Sequence, residues 1–217
     1  MQKLNFAAKN YDRILFCSDT HIDHKRDFVF QPRGFKTPEE HSSFVIDSLV
    51  SLTNKDLLIF LGDFALNTTD ERVQNILESL QCESYFLWGN HNSGLKHSYK
   101  TAVTNFCGEN NVDVYPVKVA SNISMVGDSA LISIDGKKVF CCHFPWKVWD
   151  GQQHGWMHCH GHNHSNLAGS QPNDLDNGKI LDCGIDNALK YNGTIFFSFQ
   201  EIVEIMNKKP LKTFDHH

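Results

Sequence analysis

The feature that most constrains this chain is a repeated local pattern. A short apolar run ends abruptly in a polar turn carrying Asp, Asn or His. Residues 13–18 (RILFCS) run into Asp19, residues 56–61 into Gly62-Asp63, and residues 84–88 into Gly89-Asn90-His91. Helical segments follow the first two runs. Thr37-Pro38-Glu39-Glu40 supplies an N-cap, a first-turn proline and an acidic third position. Phe44, Val45, Leu49 and Leu52 then recur at helical spacing, predicting a helix over roughly 38–52. Thr69 is placed to cap a second helix, with Val73, Ile76, Leu77 and Leu80 on its apolar side. Strand, polar loop and helix in that order predict parallel strands joined by crossovers.

The second half has a different texture. Residues 112–119, 123–126, 131–134 and 138–142 read as short successive strands, with Asp135-Gly136 as a hairpin turn. Further strands are expected at 156–159, 179–182 and 194–197. Ser198-Phe199-Gln200-Glu201 has the pattern of a capping box, opening a last helix that carries Ile202, Ile205 and Met206 and stops by Pro210. The expectation is an α/β chain in which a parallel half packs on an antiparallel half. Neither a repeat nor a linker divides it, so residues 1–217 form one domain.

Composition agrees. The 217 residues are 41% hydrophobic and 21% charged, a globular balance. The longest apolar run, 57–61, is far short of the ~20 residues a membrane span needs. The N-terminal stretch lacks the features of a secretory signal. The net charge of −5 argues against a broad nucleic-acid surface. The seven cysteines include no C-x-x-C pair, which suits a reducing cytoplasm. The thirteen histidines are the unusual count, and five of them lie between His154 and His164. Histidine is the commonest metal-ligand side chain.

Five polar clusters follow strand-like runs: SDTH, GD, GNH, CCHFP and GHNH. Loops at the carboxyl ends of strands in an open sheet meet in one crevice. Asp, Asn and His together suit borderline divalent ions such as Mn, Fe, Co or Zn. Taken in order, D-x-H, G-D, G-N-H, H and G-H-x-H resemble the calcineurin-like metallophosphoesterases, over Asp19 to His164. The stretch HFPWKVWDGQQHGWMHCHGHNH is further similar to small members of that family found in bacteriophages and bacteria.

The resemblance implies a four-layer α/β/β/α sandwich of two mixed sheets flanked by helices. It implies two divalent ions, manganese foremost, with iron, nickel, cobalt and zinc as alternatives. Asp19, His21 and His164 would hold the first ion, Asn90, His143 and His162 the second, and Asp63 would bridge them. Each ion then has four protein bonds, and a shared hydroxide makes five. Two dications against two aspartates leave positive charge suited to a phosphate ester, which the bridging hydroxide would attack. His91 would act at the leaving oxygen. The residue after it is Asn92, where the family often has Asp or Glu, and this bears on how His91 is protonated.

The remaining residues divide between function and packing. His24 is a candidate phosphate contact, His154 a candidate substrate contact, and His160 a candidate support for a ligand. His158 is open. Lys25, Arg26 and Arg33, with Phe28, Phe30 and Phe35, could bind phosphate and a base, although a solvated basic loop over tucked aromatics is the plainer reading; Arg33 is also a candidate support behind the ligands. Trp146 and Trp149 wall the cleft or pack on the sheet. His41, His97, His216 and His217 are read as ordinary residues. The expected function is hydrolysis of a phosphate ester, with a phosphodiester or nucleotide favoured. The alternatives are a monoesterase (protein phosphatases included), a nuclease acting on nucleic-acid ends, or a silent scaffold of the same fold. The expected location is the cytoplasm, a bacterial host's if the chain is phage-encoded.

Overall fold

A computed structural model describes residues 1–92, 94–107, 114–175 and 177–213. In chain order the strands are β1 (Gln2–Phe6), β2 (Arg13–Cys17), β3 (Asp56–Phe60), β4 (Glu83–Phe86), β5 (Val117–Ala120), β6 (Ile123–Met125), β7 (Ser129–Ile134), β8 (Lys137–Cys142), β9 (Met157–His160), β10 (Ile180–Asp182) and β11 (Phe197–Ser198). The helices are α1 (Asp27–Phe30), α2 (Pro38–Val50), α3 (Asp70–Ser79), α4 (Leu95–Cys107), α5 (Ile185–Asn192) and α6 (Phe199–Lys208).

Local chemistry sets several of these boundaries. The Thr37 hydroxyl accepts the Glu40 N–H and starts α2, and Thr69 does the same for α3 with Arg72. Ser198 and Glu201 form the full capping box of α6. The expected strand over 112–119 begins only at Val117, and residues 112 and 113 lie outside the described set. His216 and His217 lie outside it too.

Two mixed sheets result, flanked by helices. The first has the order β11-β2-β3-β4-β6-β5 and the second β1-β7-β8-β9-β10. Strands β2, β3 and β4 are parallel, as the first-half pattern predicts, and β6, expected in the antiparallel half, also pairs parallel with β4. The expected antiparallel second half needs correction. The Asp135-Gly136 hairpin makes β7 and β8 antiparallel, but β8, β9 and β10 are parallel to one another. The reason is connection length: residues 143–156 and 161–179 are crossovers long enough to return the chain to the same end. As a result the turns after β8 and β9, which carry His143, His162 and His164, emerge at one edge.

Alternation along β2 and β3 fills two cores. Ile14, Phe16, Leu57 and Ile59 face the second sheet, meeting Ile132, Val139, Cys141 and Leu181. Leu15, Cys17, Leu58 and Phe60 face the helices, meeting Val45, Leu49, Val73, Leu77 and Tyr99. A smaller cluster, Phe140, Cys142, Trp149 and Ile180, lies on the second sheet beneath the 143–156 segment. Cys17, Cys82, Cys141, Cys142, Cys159 and Cys183 are buried and free, and burial pushes the Cys142 thiol up to about 12. None is suited to act as a nucleophile.

Phe60 is fully buried and stacks on Phe86 at 4.6 Å. Phe60→Ala should lower unfolding free energy by about 3–5 kcal/mol in urea titrations. A loss below about 1 kcal/mol would contradict the core described.

Candidate metal centre

The turns after β2, β3, β4, β8 and β9 are knit together by their main chains. The Asp19 N–H donates to the Gly62 carbonyl (3.0 Å) and the His21 N–H to that of Asp63 (3.1 Å). The Gly161 N–H donates to the His143 carbonyl (2.9 Å). Side chains join in. The His91 N–H donates to Asp63 Oδ1 at 2.7 Å, and the His162 N–H is shared by both Asp19 oxygens at 3.0 Å.

Backbone strain is concentrated here. Asp19, His21, Asp63, His162 and His164 have φ of 58°, 46°, 59°, 72° and 47°. L-residues other than glycine enter this region at about 1–2 kcal/mol each. Asp and His tolerate it better than bulkier residues. Two glycines make room for the carboxylates. A methyl at Gly89 would overlap Asp63, and one at Gly161 would overlap Ser18 and Asp19.

Two overlapping groups of side chains could hold a metal ion: Asp19, His21 and His164, and Asp19, Asp63 and His143. His21 Nε2 lies 3.1 Å from His164 Nε2, 3.8 Å from Asp19 Oδ1 and 3.6 Å from Asp63 Oδ2. His143 Nε2 lies 3.4 Å from Asp63 Oδ2 and 3.0 Å from Asn90 Oδ1, which is also 3.0 Å from His162 Nδ1. The histidine tautomers point lone pairs inward. His143 Nδ1–H donates to the Leu61 carbonyl (2.9 Å), so Nε2 is left as an acceptor. His164 Nδ1–H donates to Asp186 Oδ2 (3.0 Å) with the same result. Carboxylate, amide oxygen and imidazole acceptors facing one another form a cation's ligand set, so these residues fit divalent ions.

The electrostatics agree. Burial pushes the Asp19 carboxyl well above the usual carboxylate range, with the negative charges of Asp182 and Asp63 adding to the rise. Burial, with His164 beside it, holds His21 far below the ordinary histidine value, as a neutral ligand would be. His143 and His164 go the other way. Burial is the largest influence and lowers each, but the nearby carboxylates taken together, Asp63 and Asp19 at His143 and Asp186 and Asp19 at His164, more than offset it.

Of the roles open to it, Arg33 takes the supporting one. It is neither a solvated loop residue nor a phosphate contact at the surface. Its guanidinium is buried and pairs bidentately with Asp186, at 3.0 Å from Nε and 2.7 Å from Nη2. Nη2 also donates to the Asp19 carbonyl (2.9 Å), and Nη1 meets His41 Nε2 at 2.9 Å. Arg33 and Asp186 thus lie behind the ligands and orient His164. Burial opposes ionisation of Asp186, but His164 and Arg33 hold it far below the carboxylate range. Sequence reasoning missed Asp186. The signal was present in the Asp182-Cys183-Gly184-Ile185-Asp186 turn, which repeats the strand-then-acid pattern.

The other candidates separate clearly. The His91 ring is half-buried at the mouth, 5.5 Å from the His21 ring and 6.5 Å from the His24 ring. His24 is buried, and its Nδ1 accepts the Arg26 N–H (3.1 Å), so its proton sits on Nε2. Asn92 bonds both main-chain groups of Gly89 rather than His91. His160 Nδ1–H donates to the Gly161 carbonyl (2.7 Å), steadying the turn that carries His162 rather than a ligand ring. His154 departs from its expected role. It is exposed, and its described contact is with the Trp156 ring, away from the cluster. His158 is a fully buried peg. Nδ1–H donates to the Phe140 carbonyl (3.1 Å) and Nε2 accepts the Trp146 N–H (3.0 Å). Phe28, expected to be tucked onto the core, is 73% exposed beside His24, whereas Phe30 is buried.

The family model for calcineurin-like phosphoesterases matches residues 12–197. The chain belongs to that family, which implies metal-dependent hydrolysis of phosphate esters. Comparison with curated proteins gave no match. Among solved structures, the chain is similar in fold to AQ665 from Aquifex aeolicus, a protein of unknown function. Identity is 18%, the TM-score is 0.58, and the alignment covers 92% of this chain and 100% of the other. No helix among the described residues is long and apolar enough to cross a membrane.

Asp186→Asn should weaken Mn²⁺ affinity about 10–100-fold in calorimetric titration, because the partner that orients His164 is lost. Unchanged affinity would contradict its orienting role. His158 gives a pH signature. Burial, with His160 beside it, pushes its pKa down to about 3, so the folded chain keeps it neutral. Below the ordinary value of about 6.5 the unfolded chain takes a proton that the folded chain refuses. Stability from this residue is full above that pH and falls toward about pH 3. The stability gap between wild type and His158→Gln should shrink by about 2 kcal/mol from pH 7 to pH 5. A gap independent of pH would contradict the peg.

Proposed function

We propose that this phosphoesterase works with two divalent ions, manganese foremost, on a phosphodiester or nucleotide. Asp19, His21 and His164 hold one ion, Asn90, His143 and His162 hold the other, and Asp63 spans both. The observation that carries this reading is the Asp63 carboxylate. Its Oδ2 faces His21 Nε2 and His143 Nε2 at 3.6 and 3.4 Å, while Oδ1 is fixed by the His91 N–H. When bound, such a pair supplies Lewis acidity and an activated water.

The residues around the pair do the rest. His91 is tied to Asp63 through its main chain, and its ring stands at the mouth as the proton donor to the leaving oxygen. His24, with its proton on Nε2 beside His91, is a further donor to a phosphate oxygen. The preference for a diester or nucleotide draws support from exposed Lys25, Arg26 and Phe28 on one side of the mouth and exposed Phe144 and Trp146 on the other. The buried free thiols accord with work in a reducing cytoplasm.

The test compares p-nitrophenyl phosphate with bis-(p-nitrophenyl) phosphate, using metal-stripped protein reloaded with Mn²⁺, Ni²⁺, Zn²⁺ or Mg²⁺. Turnover should require metal, favour the diester, and vanish in Asp63→Asn. His91→Gln should lower kcat about 10²–10⁴-fold with the metal content intact. Full turnover in Asp63→Asn, or in excess chelator, would overturn the proposal, and a preference for the monoester would reassign the substrate class.

A further inference from the structure

A second concavity is lined by residues of the loops that follow His143 and His164. Its cavity, about 280 Å³, is walled by Pro145, Trp146 and Trp149 on one side and by Leu167, Asn177 and Ile180 on the other. Both walls grow out of the ligand turns: Trp146 is three residues after His143, and Leu167 three after His164. Three extended residues reach at most about 10 Å, so the main chains of Trp146 and Leu167 lie within that distance of those of His143 and His164. Phe144 fills the interval. Its ring is 4.6 Å from that of His162 and 5.1 Å from that of His143, and it is 47% exposed.

The walls are rigid where rigidity helps. Trp149 is buried and its Nε1–H donates to the Trp156 carbonyl at 3.0 Å. The His158 peg fixes the Trp146 main chain to the sheet. The Trp146 side chain nevertheless stays 48% exposed, although its ring touches Phe140 at 5.2 Å. A half-exposed indole and a half-exposed phenyl beside a hydrolytic centre form an apolar patch that core packing does not explain.

We infer that this cavity receives a planar aromatic group carried by the substrate, of the kind a nucleobase provides, while the phosphate sits at the metal centre. The inference rests on the hydrolytic reading of that centre and adds the leaving-group class. Flat indole and proline faces favour a ring over an alkyl chain, because a ring stacks on them over its whole face. The Asn177 amide, whose nitrogen donates to the Ala168 carbonyl (2.6 Å), leaves its oxygen at the cavity as a polar group for a ring's edge.

Two readouts separate this inference from the reading beneath it. The first is binding of AMP against inorganic phosphate to Mn²⁺-loaded protein, followed by tryptophan fluorescence. AMP should bind more tightly, and Trp146→Ala should remove at least about a fivefold part of that advantage while leaving phosphate affinity unchanged. Trp146→Phe, which keeps a ring, should retain most of it. The second is kcat/KM for phenyl against methyl esters of phosphate, where Trp146→Ala should lower only the phenyl value. If wild type hydrolyses no ester yet shows the AMP advantage and its loss in Trp146→Ala, the cavity assignment stands and the hydrolytic reading falls. If esters are hydrolysed but Trp146→Ala changes phenyl and methyl alike, or neither, the cavity assignment is overturned. The result is the same if AMP binds no better than phosphate.

Discussion

Two carboxylates, Asp19 and Asp63, are buried close together at the end of a parallel sheet, and most of the surrounding structure answers to that fact. Burying like charges is costly unless positive charge and hydrogen bonds compensate. Main-chain N–H groups of His91 and His162 supply part of the compensation. The imidazoles of His21, His143 and His164 turn acceptor nitrogens toward the same space and supply none in their neutral forms. What remains is a demand for cations, which divalent metal ions would meet.

That demand explains features that would otherwise be liabilities. Left-handed backbone at Asp19, His21, Asp63, His162 and His164 stores several strained residues in one place. The parallel strands hold these turns so firmly that the strain cannot relax singly, and the glycines at 89 and 161 let neighbouring turns approach the carboxylates. Behind the ligands, Arg33 and Asp186 form a buried ion pair whose value is orientation: it fixes which nitrogen of His164 faces the ions. Breaking one partner would leave a buried charge unpaired, so the support is as constrained as the ligands it serves.

The candidate ligands were legible in two steps: apolar runs ending in polar turns placed Asp19, Asp63, Asn90, His143 and His162 at strand ends, and the family resemblance singled them out as ligands. Capping residues likewise located α2, α3 and α6. Other features depended on tertiary approach. Arg33 lies in a basic stretch that reads as solvated, and its burial follows only from Asp186, 153 residues away. The direction of β9 and β10 turned on crossover length rather than on any residue. Strand β1 pairs with β7, a distant partner, and carries no turn signal of its own. His158 and His160 share one strand face but differ in role, because only His158 meets the 146 loop.

The most direct test is the count and coupling of bound ions. Mn²⁺ is titrated into metal-stripped protein, with stoichiometry read by elemental analysis and ion–ion interaction by electron paramagnetic resonance. The account predicts two ions per chain whose spectrum is that of a magnetically coupled pair. A single ion at saturation, or two that remain magnetically independent, would contradict a centre built around Asp63.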